Sequence, residues 1–310
     1  YSTRTWYYNY FSRRTFKTYN LKKTMELKTQ FLLILLSIFF STNIFSKEPN
    51  KSCDELLSDS QYEEALKTKK GEYKSAICHG QANLRLNHFD EALNDFKLAG
   101  KLSKNDTDHF MSVLLEGITL KEAKRFDDAL LHLNNSFSNI KANRPFKRLY
   151  LVEIGETLLL LSRYDEAANA FLESYALAAN DDERAANLDR VAFVYATLKN
   201  FTKAIEYELK ANLAFERTGL LGEYAESGIN LGLYYLEAND LDSAERTLFK
   251  FEKLARENGG MYYLAKALYV ESKYYKKKSN IGLSQSKLDE ANKIANDIGA
   301  EDLKTLFKSI

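Results

Sequence analysis

Histidines and adjacent acidic residues are the side chains in this sequence that could support metal binding or catalysis. The 310 residues include four histidines, and none lies at ligand spacing from a cysteine, a glutamate or another histidine on one helix face. They are His79, His88, His109 and His132. The sequence also has no glycine-rich phosphate loop and no G-x-S-x-G motif. We therefore predict no metal site and no cofactor.

Three pairs of adjacent acidic residues could act as general acids and bases. They are Asp90–Glu91, Asp127–Asp128 and Asp165–Glu166. Each pair follows an aromatic residue at the start of an apolar stretch, where negative charge stabilises the N-terminus of a helix. Their recurrence at one place in the pattern favours a structural role, so we predict that the chain is not an enzyme.

The segments that carry these residues form a repeat. Seven times an aromatic or large aliphatic residue is followed, three positions later, by a small residue. The pairs are Tyr62/Ala65, Phe89/Ala92, Phe126/Ala129, Tyr164/Ala167, Phe201/Ala204, Leu241/Ala244 and Ile281/Ser284. After a first interval of 27 residues, the small residues recur at intervals of 37, 38, 37, 40 and 40 residues. Such periods are typical of stacked supersecondary units, which we place in residues 47–310.

Composition and charge narrow the fold and the class of partner. Only two of the 310 residues are proline and 45% are hydrophobic, so the scarcity of helix breakers predicts an all-α chain. The net charge of +1 conceals an asymmetry, because residues 1–24 carry six Lys or Arg and no acidic residue. The rest of the chain carries 38 basic and 43 acidic residues, which argues against a nucleic-acid partner.

The first 46 residues are predicted to be upstream and targeting sequence. Met25 opens a segment with a basic Lys28, an apolar stretch at 31–40 and a polar region that ends at Ser46. This pattern predicts a signal peptide at 25–46 and secretion across the inner membrane of a bacterium into the periplasm. The apolar stretch is shorter than the roughly 20 residues of a membrane span, so none is expected after cleavage. An uncleaved membrane anchor is the alternative. Residues 1–24 are interpreted as non-native upstream sequence, or else as an extended basic leader.

Four repeats have a glycine twelve residues before the small residue. These are Gly80, Gly117, Gly155 and Gly232, with Ala192 at this place in a fifth repeat. The surrounding pattern includes Phe89, Ala92, Phe96 and Ala99 in one repeat and Tyr164, Ala167 and Phe171 in another. From about residue 53 to residue 297 it resembles the tetratricopeptide repeat (TPR) family. The resemblance implies a right-handed α-solenoid of about seven helix pairs, A and B, with a concave groove lined by the A helices. We expect a C-terminal capping helix at 301–309.

The repeats are longer than the usual period of about 34 residues, mainly in polar links between helix B of one unit and helix A of the next. In this respect the chain resembles the long-repeat TPR arrays of bacterial signal-transduction proteins.

Cys53 and Cys78 are the only cysteines of the chain. By the resemblance, Cys53 occupies the helix A position that usually holds glycine, and Cys78 lies on the next helix A. An exported chain meets an oxidising compartment, so we predict a disulfide between them. Two small core thiols are the alternative.

The resemblance also assigns residues to the groove. They are Ile77, Gln81, Leu84, Met111, Leu114, Ile118, Val152, Glu156, Phe193, Ile229 and Leu233. Such a largely apolar lining suits an extended or helical protein segment with hydrophobic anchors. A register error of one residue would instead make these side chains part of the core between helices.

The last repeat differs in charge. It has a predicted basic end patch made of Lys266, Tyr269, Lys273, Lys276 and Lys277. This patch could receive an acidic segment of a partner, or a phosphorylated or glycan surface. The alternative is an ordinary solvated terminal face.

Two functions fit these features. The first is a non-enzymatic, exported scaffold that binds a protein or peptide partner in its groove. The second is a sensory or regulatory module that binds a peptide or small ligand for a signal-transduction system. The sequence indicates neither the partner nor the oligomeric state.

Overall fold

The computed structural model describes residues 51–69, 71–139 and 144–308. The predicted upstream segment (1–24) and signal peptide (25–46) lie outside the described residues. The described part is built from fifteen helices and contains no strand. In chain order they are α1 (Cys53–Ser58), α2 (Tyr62–Ala65), α3 (Tyr73–Arg85), α4 (Phe89–Leu102), α5 (Asp106–Glu122), α6 (Phe126–Asn139), α7 (Arg144–Leu160), α8 (Tyr164–Leu177), α9 (Asp181–Thr197), α10 (Phe201–Thr218), α11 (Leu221–Glu237), α12 (Leu241–Glu257), α13 (Met261–Lys277), α14 (Ile281–Asp297) and α15 (Glu301–Phe307).

The helices form a solenoid of seven pairs. Odd-numbered helices α1 to α13 are the A helices, even-numbered helices α2 to α14 are the B helices, and α15 follows the last pair. Each helix packs against the helices before and after it in the chain, and the A helices α11 and α13 also touch. Because contacts connect only near neighbours along the chain, each pair is buried by the next one. The predicted all-α solenoid with a C-terminal capping helix is confirmed.

Close approach of helix A to helix B explains the glycines. A Cβ added to Gly80 would lie 2.5 Å from the Phe96 ring, and one added to Gly155 would lie 2.6 Å from the Phe171 ring. Only a residue without a side chain leaves room for these rings, which fill the space between the two helices. The small residues at the heads of the first six B helices are fully buried, and the seventh, Ser284, is half-buried.

The turns inside the seven pairs share one conformation. In each of them the residue two positions before helix B has a positive φ of about 60°. These residues are Ser60, Asn87, Lys124, Ser162, Lys199, Asn239 and Ser279. The next backbone N–H donates back to a carbonyl near the end of helix A, as from His88 to Asn83 at 2.8 Å. This Schellman closure satisfies the last carbonyl groups of each A helix.

The first pair is short, with six residues in α1 and four in α2. Cys53 of α1 and Cys78 of α3 form a disulfide with their Cα atoms 6.2 Å apart, as predicted. The crosslink therefore joins the short first pair to the second.

Candidate functional site

The site suggested by the sequence lies on the A helices. We call the side of the solenoid formed by the outward faces of α3, α5, α7, α9, α11 and α13 the A-helix surface. Seven of the predicted groove residues are only half-buried there: Ile77, Gln81, Leu84, Met111, Ile118, Phe193 and Leu233. A partner could reach these side chains, which lie on four of the six A helices, α3, α5, α9 and α11.

Four predicted groove residues are buried instead. Leu114 and Ile229 belong to the core between helices, and only 1% of Ile229 is exposed. Val152 is also buried, and Glu156 is buried in an ion pair. For Leu114, Val152 and Ile229 the structure therefore favours the core alternative, because an apolar side chain without exposed surface gains nothing from a partner.

Buried charges connect three successive A helices. Lys121 of α5 donates hydrogen bonds to Glu153 and to Glu156 of α7, the second at 2.9 Å between Nζ and Oε2. Arg190 Nε of α9 lies 3.5 Å from Glu156 Oε1. We call Lys121, Glu153, Glu156 and Arg190 the charge ladder. Paired charges of this kind are costly to separate, so the ladder fixes the spacing of α5, α7 and α9.

In the ladder, burial and the neighbouring charges shift pKa values in opposite directions. Burial alone would lower the pKa of Lys121, but Glu153 and Glu156 raise it above its ordinary value. Burial raises the pKa of Glu153, although the Lys121 charge counteracts this. The charge ladder was not predicted, although the spacing of its glutamates indicates that they lie together. Glu153 and Glu156 are three residues apart and so share one face of α7. The preceding A helix, α5, carries Lys121 near its end.

The fifth pair has a carboxyl group where other pairs have an apolar side chain. Sixteen residues after the glycine, the pairs carry Phe96, Leu133, Phe171 and Leu248, whereas the fifth carries Glu208 after Ala192. Glu208 is completely buried and accepts a hydrogen bond from Ser227 Oγ at 2.5 Å.

Glu208 also forms a side-chain hydrogen bond with Asp189. Burial raises the pKa of Glu208 well above its usual value, and the negative charge of Asp189 raises it further. Two carboxyl groups in such contact cannot both be ionised without a large penalty. A buried carboxyl group thus stands in the fifth pair where four other pairs have Phe or Leu.

Much of the predicted basic end patch is engaged within the fold. Lys266 donates to Glu226 of α11, and Lys277 Nζ donates to the Leu236 carbonyl at 2.6 Å. Tyr269 is only 3% exposed. Its ring stacks on Phe307 of α15 with 4.8 Å between ring centroids.

The capping helix thus covers one aromatic member of the patch. Lys273 Nζ lies 4.8 Å from the Tyr269 ring centroid, and Lys276 is exposed. Lys277 is exposed as well, so Lys273, Lys276 and Lys277 are the members that solvent or a partner can reach at this end of the solenoid.

Within the described residues no group of three or more His, Cys, Asp or Glu side chains is arranged to hold a metal ion. Over the same ranges, no helix combines the length and the apolar character needed to cross a membrane.

Comparison with known proteins identifies the fold. No family model matches the chain, and no curated protein matches it. Among solved structures, a signal-transduction ATPase with numerous domains and a tetratricopeptide repeat sensor, from Pyrococcus horikoshii, is similar with a TM-score of 0.64. The two chains are 16% identical, over 82% of this chain and 43% of that one.

Two further solved structures are similar, with lower TM-scores. Aspartyl phosphate phosphatase F from Bacillus subtilis has a TM-score of 0.58 and 13% identity, over 72% of this chain and 70% of that one. A Rap protein complexed with competence and sporulation factor has a TM-score of 0.54 and 14% identity, over 81% and 77%. At such identities the similarity concerns the fold, and the chain has a TPR-like fold, as the sequence pattern predicts.

Proposed function

We propose that this TPR-like solenoid is a non-enzymatic, exported scaffold that binds an extended or helical segment of a partner protein along its A-helix surface. The observation that carries the proposal is the row of half-buried apolar side chains on successive A helices. Residues such as Met111, Ile118, Phe193 and Leu233 retain accessible surface, and apolar anchors of a segment can bury it.

The charge ladder supports binding by a surface of fixed shape. Lys121 joins α5 to α7, and Arg190 lies close enough to Glu156 to join α7 to α9. A surface whose helices are already fixed loses little conformational entropy when a partner binds. The ladder therefore contributes to affinity without contacting the partner.

Export rests on the signal pattern at 25–46 and gains support from the disulfide. Disulfides persist in oxidising compartments and are rare in the cytosol. The Cys53–Cys78 bridge suits a protein that acts outside the cytosol, and the periplasm is the compartment we propose.

Mutation of the A-helix surface tests the binding role. Met111→Glu combined with Phe193→Glu should abolish recovery of the partner after affinity purification of the protein from its own cells. The control, Asn94→Glu combined with Asn169→Glu, changes two exposed B-helix residues and should leave recovery unchanged. Equal recovery with both double variants would refute binding at the A-helix surface.

A sensory or regulatory module is the second candidate, and the interior of the fifth pair favours it. Glu208 replaces the apolar contact that other pairs use, so this part of the stack is suited to a change of packing. If partner binding alters the radius of gyration of the protein in X-ray scattering, the regulatory function is favoured. An unchanged radius favours the rigid scaffold.

A further inference from the structure

Two adjoining concavities lie at the ends of the fourth and fifth pairs, outside the A-helix surface. One has a volume of about 280 Å³ between the B helices α8 and α10, and the other a volume of about 480 Å³ beside the start of α7. Arg184 of α9 lines both of them. We call the two together the edge cleft.

The edge cleft is positively charged, although the sequence after residue 24 is mildly acidic. Its cationic lining residues are Arg144, Arg148, Arg184, Lys210 and Arg217, against the two acidic residues Asp181 and Glu183. Residues 25–310 together carry 38 basic and 43 acidic residues. The excess of positive charge is therefore local, and a local field of this kind attracts an acidic partner.

Neighbouring acidic residues hold some of these cations in place. Arg148 pairs with Glu183 at 2.9 Å, and Arg184 pairs with Asp181 at 2.8 Å. Within the described residues, neither Arg144 nor Arg217 forms an ion pair; Arg144 donates to the Ala176 carbonyl at 3.3 Å. Their charges are thus available to carboxylates from outside, for which the planar guanidinium is well suited.

Apolar side chains accompany the charges. Leu213 is 55% exposed and Tyr175 is 36% exposed, while Leu188 and Ala214 form a buried floor. An exposed leucine and tyrosine above an apolar floor offer a place for one hydrophobic side chain. The surrounding positive charge favours a segment in which acidic residues flank that hydrophobic side chain.

We propose that the edge cleft docks an acidic protein segment in which a leucine or aromatic anchor is flanked by aspartate or glutamate. The anchor packs between Tyr175 and Leu213, and the flanking carboxylates pair with Arg144 and Arg217. The cleft is lined by the B helices α8 and α10 and by the N-terminal parts of α7 and α9, and none of its lining residues belongs to the predicted groove. The proposal therefore does not depend on the function proposed for the A-helix surface.

Selection from a random peptide display library on the purified, disulfide-bonded protein tests the proposal. Counter-selection uses the double variant Leu213→Ser/Arg217→Glu, which changes two exposed residues. We expect the peptides that distinguish the two proteins to carry acidic residues around a leucine or an aromatic residue. A synthetic peptide of that type should lose affinity on the order of tenfold or more for the double variant, because arginine and apolar anchors dominate such interfaces.

Matched controls separate this site from general attraction between charges. Lys253→Glu changes an exposed lysine on α12 and should leave the peptide affinity unchanged. Unchanged circular dichroism and melting temperature of the double variant should show that it is folded. The proposal is overturned if the selected peptides are neutral or basic, or if Lys253→Glu weakens binding as much as the double variant does. It is also overturned if a peptide with serine in place of the anchor binds equally well, or if only vesicles containing phosphatidylglycerol bind.

Discussion

Removal of the cation from the charge ladder should destabilise the protein strongly and in a pH-dependent way. Lys121 is buried and donates to both Glu153 and Glu156. In Lys121→Met the two carboxylates stay behind in a buried site, and Arg190, 3.5 Å from Glu156, is the nearest ladder cation left. Loss of one partner from a buried ion pair costs about 3–5 kcal/mol, and we expect a loss of this size near pH 7.

The sign of the pH dependence follows from the carboxyl groups. Burial raises the pKa of Glu153, and Lys121 counteracts that rise. Without Lys121 the pKa in the folded state rises further above the unfolded value of about 4.3. A raised pKa leaves stability intact below the unfolded pKa and removes it as the pH rises through the folded pKa. The deficit of Lys121→Met should therefore be small near pH 4 and should grow as the pH rises towards the folded-state pKa of Glu153.

Urea unfolding, followed by circular dichroism at several pH values, measures this effect. The variant Lys121→Met/Glu153→Leu removes one carboxylate and leaves Glu156 beside Arg190, so it should recover more than half of the lost free energy of unfolding. A loss below about 1 kcal/mol for Lys121→Met at pH 7, or a loss that does not grow with pH, would refute the reasoning.

Three other perturbations have expected outcomes. Gly155→Ala places a Cβ 2.6 Å from the ring of Phe171 and should lower the free energy of unfolding by about 1–3 kcal/mol. In the control Gly282→Ala no atom lies nearer than 4.0 Å to the new Cβ, so the melting temperature should stay unchanged. Equal effects of the two substitutions would contradict the close packing at Gly155. Burial raises the pKa of Glu271 to about 7, so wild-type stability should fall as the pH rises from the unfolded pKa of about 4.3 to about 7 and should level off above that. Glu271→Gln should flatten this fall in thermal melts; an equally steep fall in the variant would exclude Glu271 as its cause. The Cys53–Cys78 bridge joins residues 25 positions apart in the sequence. Its reduction should lower the free energy of unfolding by roughly 3 kcal/mol and make the first pair sensitive to proteases. Unchanged cleavage after reduction would show that the bridge does not stabilise this pair.

The regular part of the fold could be predicted because four of the seven pairs use the same packing. Gly155 and Phe171 are sixteen residues apart, and the same spacing joins Gly80 to Phe96. A residue without a side chain opposite a ring has one physical explanation, which is close helix contact. The repetition makes the signal visible in one sequence.

The site was harder to predict because small rotations of a helix decide exposure. By its resemblance to TPR repeats, Ile229 occupies a position that faces the groove. In the structure it is buried in the core instead. Tyr269 was expected at a basic end patch, yet Phe307 of the capping helix stacks on it. The contact with Phe307 does not follow from periodicity, since α15 lies outside the repeat unit that carries Tyr269.

The polar interior could have been found from departures within the repeat. Glu208 occupies a place that is Phe or Leu in four other pairs. A carboxyl group at a core position is unfavourable unless it is paired or protonated, so the exception itself indicates the cluster with Asp189 and Ser227. The partners of Glu208 could not be named, because they lie on other helices.

Site-specific photo-crosslinking in living cells tests the central claim most directly, namely that partners bind the A-helix surface. A photoreactive amino acid would replace Gln81 on α3 or Phe193 on α9 and, as controls, the exposed Asn94 on α4 or Asn169 on α8. We predict that the two A-helix positions crosslink to the same protein and that the two B-helix positions do not. Adducts from Asn94 and Asn169 alone, or no common adduct from Gln81 and Phe193, would contradict the claim.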